Sequence, residues 1–389
     1  MRKGVDDLNI GNRKKALVVD DSAFMRKLIS DFLSGHPEIE VIGTARNGKE
    51  AVEKVKSLNP DFVTMDIEMP IMNGLEALKE IMSCNPLPIV MLSSTTKIGA
   101  ENTILAMEYG AVDFVAKPGG AISLNLHEVK EEILGKVIAA SGVQMSTLTK
   151  KYADRRLPKL IISDSRDSQV EKKVELSSFS NKQKQMHNVS KNKISKTGKT
   201  FVIIGTSTGG PRALQEVLTG LPASIGIPIL IVQHMPPGFT KSLADRLDGL
   251  CDIHVKEAED GELLENGTAY IAPGGKHLKM MKKGMTYCVQ LDAVDPLRMG
   301  HRPSVDVLLE SAAENTELNF LTVIMTGMGH DGKSGMEVLR KNGKTITIAE
   351  SAKTSVVYGM PKAIKEAGFA DEVVDLNDIS ETIMRIIKS

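Results

Sequence analysis

FVIIGTSTGGPRALQEVL, residues 201–218, reads as a buried strand, a glycine-rich turn and the start of an amphipathic helix. Phe201 to Gly205 carries no polar side chain, as expected of a strand covered on both faces. Gly205-Thr206-Ser207-Thr208-Gly209 fits the pattern G-x-S-x-G, which sets a serine hydroxyl on a sharp, exposed turn. Pro211 is a favoured opening residue for a helix, and the positive end of that helix lies close to Ser207. A strand passing into a helix through so short a turn is half of a parallel βαβ unit. Glycine-serine turns also bind phosphate, so the serine needs companions before it means chemistry.

Apolar runs of strand length recur downstream: PILIVQH (228–234), AYIAP (269–273), FLTVIMTG (320–327) and TITIAE (345–350). They predict a C-terminal α/β domain over 200–389 with a mainly parallel sheet. Upstream, 141–199 loses this periodicity. Residues 150–199 hold 14 Lys/Arg against five Asp/Glu, with one glycine, and read as a flexible basic linker. Before it, ALVVD (16–20), VIGTA (41–45), DFVTMD (61–66), PIVMLSS (88–94) and DFVAKP (113–118) alternate with helical patterns. One such pattern is Phe24, Leu28, Ile29, Phe32 and Leu33, spaced to line one face. Five βα units over 14–135 predict a flavodoxin-like domain with helices on both faces of a parallel sheet. With 389 residues, two domains are the natural division.

Lys+Arg and Asp+Glu balance at 49 each, so charge supplies no argument for nucleic acid or an anionic membrane as partner. The three cysteines, Cys84, Cys251 and Cys288, are scattered and odd in number, which suits reduced thiols in a cytoplasmic protein. Met1 to Lys15 is polar, unlike a signal peptide, and no apolar stretch approaches ~18 residues, so no membrane insertion is expected.

Ligands of a parallel α/β sheet gather at the carboxyl ends of its strands. In the N-terminal domain those ends carry Asp20 and Asp21, Asp66, Ser93, and Lys117. Singly, each Asp could be a helix N-cap. Together they suit Mg²⁺, a hard cation that takes carboxylate and phosphate oxygens, beside a carboxylate that accepts phosphate. Asp66 is the central acceptor, Asp20 and Asp21 join it in holding the metal, and Ser93 and Lys117 meet the phosphoryl oxygens. In the C-terminal domain a nucleophilic Ser207 needs a base and an orienting acid. Five histidines follow it: His234, His254, His277, His301 and His330. His234 ends the run ILIVQ before a Met-Pro-Pro-Gly turn, on the rim where Ser207 belongs, and Asp331 follows FLTVIMTGMGH. The α/β-hydrolase order Ser…Asp…His would require His301 or His330 as base, and is disfavoured.

VVDDS (18–22), MDIEMPIMNG (65–74), MLSS (91–94) and DFVAKP (113–118) resemble the receiver domain of two-component response regulators. That resemblance implies phosphorylation of Asp66 by a histidine kinase, a Ser93/Phe114 switch pair and a cis Lys117-Pro118 bond. GTSTGGP (205–211), QHMPPGFT (233–240), YIAPGGKHL (270–278), HRPSVDVL (301–308), MTGMGHDG (325–332) and VVYGMPK (356–362) resemble the protein-glutamate methylesterases of bacterial chemotaxis. This resemblance implies Ser207, His234 and Asp331 as catalytic triad, with backbone N–H groups near Thr208 and Met328 as oxyanion hole and no cofactor for ester hydrolysis. It also implies methylated chemoreceptor cytoplasmic domains as substrate, and glutamine deamidation as a second activity. Arg302, Ser304 and Asp306 match a motif beside the active site, without an assigned role. Thr206 stands where alanine is expected, and AESAKTS (349–355) departs from the usual glutamine and acidic residues. The rival readings are a receiver-fused esterase for another ester, and a DNA-binding output domain. The latter would need a basic helix-turn-helix unit that 200–389 does not supply.

Overall fold

In the computed structural model the described residues are 13–117, 126–143, 145 and 198–388. The N-terminal domain alternates β1 (Lys14–Val19), α1 (Ala23–Ser34), β2 (Ile39–Ala45), α2 (Gly48–Leu58), β3 (Phe62–Asp66), α3 (Gly74–Cys84), β4 (Ile89–Ser93), α4 (Lys97–Glu108), β5 (Asp113–Ala116) and α5 (Leu126–Ser141). Its strands form one parallel sheet in the order β2-β1-β3-β4-β5. The helices open on side-chain caps: Ser22, Asn47, Asn73 and Thr96 each accept an amide from the first turn, and Asn73 with Glu76 forms a capping box. On α1, Ile29 and Leu33 are buried, whereas Phe24 is 54% exposed and does not join the predicted face. Phe24 lies five residues before Ile29, about 140° round the helix, and turns away from the sheet.

The C-terminal domain contains β6 (Thr200–Thr206), α6 (Gly210–Leu218), β7 (Ile229–Gln233), α7 (Phe239–Asp248), β8 (His254–Glu257), β9 (Thr268–Ile271), β10 (His277–Lys283), β11 (Thr286–Asp292), α8 (Val305–Ala313), β12 (Asn319–Ile324), α9 (Lys333–Asn342), β13 (Lys344–Glu350), α10 (Met360–Glu366), β14 (Glu372–Val374) and α11 (Ile379–Lys388). Seven parallel strands order as β14-β13-β12-β6-β7-β9-β8, and β10 and β11 form a separate antiparallel hairpin. The five predicted runs are the five inner strands. The edge strands β8 and β14 and the hairpin are short or half-polar, and carry no continuous apolar run to betray them.

Strand order reverses at β6, which pairs with β7 on one side and β12 on the other. Gly205 registers with Ile324 and Val232, so the three strands end almost level. Their carboxyl ends open a crevice at this switch point, where open α/β sheets bind ligands.

The two domains meet along α4 and β5 of the first. Glu108 takes a bidentate pair from Arg246, at 2.7 and 2.9 Å, and Phe114 stacks on Phe239 with ring centroids 4.7 Å apart. Thr208 donates its hydroxyl to Asp113 at 2.5 Å.

Candidate active site

The turn after β6 carries Ser207, pinned from both sides. Its N–H donates to the Thr326 carbonyl at 3.0 Å, while its own carbonyl accepts from Gly210 N–H and from the Gln233 amide. Gly209, at φ +77°, adopts a left-handed conformation that disfavours side chains, and starts α6 immediately after the turn. Gly327 lies so close that an added Cβ would stand 2.8 Å from Ser207 Cβ. His234 follows β7, its N–H bonded to Thr206 O at 3.2 Å. Its Nδ1 lies 3.2 Å from Ser207 Oγ and its Nε2 lies 2.7 Å from Asp331 Oδ2. A carboxylate on Nε2 favours the tautomer with its proton there, leaving Nδ1 free to accept from the serine hydroxyl.

Asp331 is 2% exposed and takes every bond a carboxylate can use. Oδ2 accepts from Val305 N–H as well as His234, and Oδ1 accepts from Ser304 Oγ and from the N–H groups of Asp306 and Gly332. Burial by itself would raise this carboxyl, but the His234 bond and charge and the amides at the start of α8 outweigh it and hold it at about 2. His301 lies face to face with His234, ring centroids 3.9 Å apart and planes 13° from parallel. Burial first, and the neighbouring His234 charge second, push the His301 imidazole down to about 4. Among the described residues, no group accepts from the amide N–H of Thr208 or of Met328.

On the β13 side, Glu350 is fully buried, accepting from Thr326 N–H at 2.8 Å and Thr354 Oγ1 at 2.9 Å. Burial drives its carboxyl up to about 7 against those bonds. A cavity of about 550 Å³ lies between this carboxyl, Arg212, Lys353 and Tyr358, and none of Ser207, His234 and Asp331 lines it.

The rim of the N-terminal sheet holds the second cluster. Asp20 and Asp66 are buried, Asp21 is exposed, and their carboxylate oxygens lie within 4.8 Å of one another. Lys117 Nζ reaches Asp20 at 2.8 Å and Asp66 at 2.7 Å. Burial raises the Asp66 carboxyl to about 6 although Lys117 opposes it. Ser93 is turned inward: its hydroxyl donates to Gly99 O at 3.0 Å and accepts from Thr103 at 2.7 Å. Phe114 is packed between the domains, and Pro118, with the expected cis bond, lies outside the described residues.

Residues 202–383 match the family described as CheB methylesterase, and 16–127 match the response regulator receiver domain. A relative from Geobacillus kaustophilus, named protein-glutamate methylesterase/protein-glutamine glutaminase, is 53% identical over 96% of this chain and 98% of its own. One of the same name from Bacillus subtilis is 46% identical over 96% of this chain and 98% of its own. The chain belongs to the CheB methylesterase family. The solved CheB methylesterase catalytic domain of Thermotoga maritima shares 45% identity, covering 49% of this chain and 98% of that one, with a TM-score of 0.46.

Against the family pattern, the two departures acquire surroundings. Thr206 donates to Gln233 Oε1 at 2.6 Å, steadying the amide that holds the Ser207 carbonyl. Glu350 belongs to the divergent 349–355 stretch. Arg302 braces the loop before it, donating to Ala293 O and Asp295 O. Ser304 and the first amides of α8 cradle Asp331. That role was open from sequence, although a serine before VDVLL is a helix-start signal and such amides attract carboxylates. His301 figured only as an alternative base, and nothing in its local sequence marks a stacked partner for His234.

Proposed function

We infer that this chain is a phosphorylation-regulated protein-glutamate methylesterase of chemotaxis adaptation, hydrolysing glutamate methyl esters on chemoreceptors and deamidating glutamine at the same site. The observation that carries it is the hydrogen-bonded chain from Ser207 Oγ through His234 to buried Asp331, at the switch point of the sheet. Ser207 Oγ attacks the ester carbonyl while His234 Nδ1 takes its proton. Asp331 keeps the opposite ring proton in place and stabilises the imidazolium. The amides of Thr208 and Met328 receive the oxyanion. His234 returns the proton to the departing methoxide, and water, deprotonated by the same nitrogen, frees the glutamate. An amide enters by the same acyl-enzyme, with ammonia leaving.

The receiver is read as 14–135, the linker as 141–199 and the catalytic domain as 200–389. In the receiver, Asp66 accepts the phosphoryl group from a histidine kinase. Asp20 and Asp21 with Asp66 would hold Mg²⁺; three oxygens within 4.8 Å of one another suit an oxygen-seeking cation, and Mg²⁺ bound there neutralises phosphoryl charge. Lys117 already stands at Asp66, and Ser93 reaches the phosphoryl oxygens once its hydroxyl leaves Gly99. No helix among the described residues is long and apolar enough to cross a membrane. The reading has the enzyme act in the cytoplasm, on the receptors' cytoplasmic domains. Methanol release from methyl-labelled receptor membranes tests the reading. Wild-type protein should release label, and Ser207→Ala should release none above background.

A further inference from the structure

Two in-plane hydrogen bonds hold His234, to Ser207 at Nδ1 and to Asp331 at Nε2. The motion they resist least is a tilt of the ring about the line joining those nitrogens. The His301 ring at 3.9 Å and 13° closes one side of that motion. His301 is itself braced. Its N–H and carbonyl both bond to Arg298, at 3.0 Å each, and the Arg298 guanidinium pairs with Glu310 of α8 at 2.8 and 3.3 Å. The chain then runs within three residues into Ser304, Val305 and Asp306, whose groups hold Asp331. One segment, 301–306, therefore supports both the base and the carboxylate that orients it.

We propose that His301 is a positioning residue for ester hydrolysis: its stacked ring keeps His234 in the plane that aims Nδ1 at Ser207, and its electron-rich face supports the imidazolium as it forms. The proposal rests on Ser207 and His234 being the reactive pair. Its physical content is that small misalignments of a catalytic group cost large factors in rate, and that an aromatic face attracts a cation. A protonated His301 would instead repel the imidazolium. Burial first, then the neighbouring His234 and Lys136 charges, keep it neutral against the opposing pull of the Asp331 carboxylate.

The test uses the full-length protein with its phosphodonor and compares wild type, His301→Leu and His301→Phe. Two rates are read: methanol release from methylated receptor, and sulfonylation of Ser207 by phenylmethanesulfonyl fluoride, which needs no receptor recognition. His301→Leu fills the space without a flat π-face and should lower kcat about tenfold or more, with KM changed less than about twofold and sulfonylation slowed in parallel. His301→Phe should restore most of that loss. If His301→Leu melts early, His301→Asn takes its place with the same expectation. Wild-type rates in a folded His301→Leu or His301→Asn protein would overturn the proposal, as would a folded His301→Phe protein as slow as His301→Leu. A Ser207→Ala protein that still releases methanol would instead sink the assignment of the reactive pair.

Discussion

At the scale of single residues, the site separates groups that do chemistry from groups that make the chemistry possible. Ser207→Ala and His234→Ala should each abolish methanol release while leaving the melting curve nearly unchanged. Asp331→Ala should retain more activity than either, because an unoriented imidazole still accepts a proton poorly. If His330→Ala proves to be the inactive variant and His234→Ala stays active, the base has been misassigned. Asp331 also couples folding to acid. Its folded carboxyl titrates at about 2, below the ordinary 3.8, so the stability it contributes is present above pH 3.8 and is lost as pH falls towards 2. Glu350 works in the opposite sense. Its folded carboxyl titrates at about 7 against an ordinary 4.5. As pH rises from 4.5 to 7 the unfolded chain gives up that proton while the folded chain keeps it, so stability falls across this window. Glu350→Gln keeps the shape without the charge. It should raise stability by about 1–3 kcal/mol at pH 8 and change little at pH 4. Equal shifts in melting temperature at both pH values would show that Glu350 is not held neutral by its burial.

At the scale of elements, the decisive piece is the junction of β6 and α6. An added Cβ on Gly210 would stand 1.8 Å from Gln233 Oε1 and 2.9 Å from Thr206 Cβ. Gln233 has little room to yield, since its oxygen takes the Thr206 hydroxyl and its amide holds the carbonyls of Ser207 and His234. Gly210→Ala should therefore destabilise the C-terminal domain by about 1–3 kcal/mol through overpacking. It should also reduce turnover, because moving Gln233 releases the serine turn. Thermal melts and methanol release on the same preparation check this, and a variant with wild-type values in both would mean the junction relaxes freely. The start of α8 matters for a different reason: its amides, unused within the helix, serve Asp331.

At the scale of the whole molecule, the receiver touches Thr208, the residue next to the proposed nucleophile. The Thr208–Asp113 hydrogen bond, the Phe114–Phe239 stack and the Arg246–Glu108 pair join the domains. An aromatic pair is worth about 0.5–1.5 kcal/mol and a partly exposed ion pair about 0–1 kcal/mol, so this is a contact that phosphorylation can shift. A change of about 1–3 kcal/mol would alter activity roughly five- to 150-fold. The isolated segment 199–389 should outperform unphosphorylated full-length protein on methylated receptor. A small phosphodonor with Mg²⁺ should raise full-length activity and leave both that segment and Asp66→Asn unchanged. Equal activity of the segment and the unphosphorylated full chain would exclude masking by the receiver, and Mg²⁺-dependent labelling of Asp66→Asn would move the phosphate acceptor elsewhere.

By itself the sequence determined what is local. Apolar runs marked the inner strands, and glycine-rich turns marked where Ser207, His234 and Asp331 leave the sheet. Acidic residues at strand ends marked the rim where Asp20, Asp21 and Asp66 gather, because strand periodicity and turn chemistry act over a few neighbouring residues. The edge strands β8 and β14 leave no such mark, because a half-exposed strand needs no continuous apolar run. What the tertiary structure alone decided is how distant side chains meet. His234 and Asp331 are 97 positions apart, Thr208 and Asp113 are 95 apart, and Ser304 lies 27 residues before the carboxylate it holds. The stacking of His301 on His234 belongs with them. Such contacts depend on strand order and on the level ending of β6, β7 and β12, which exist only once the sheet has assembled and its buried polar groups have found their partners.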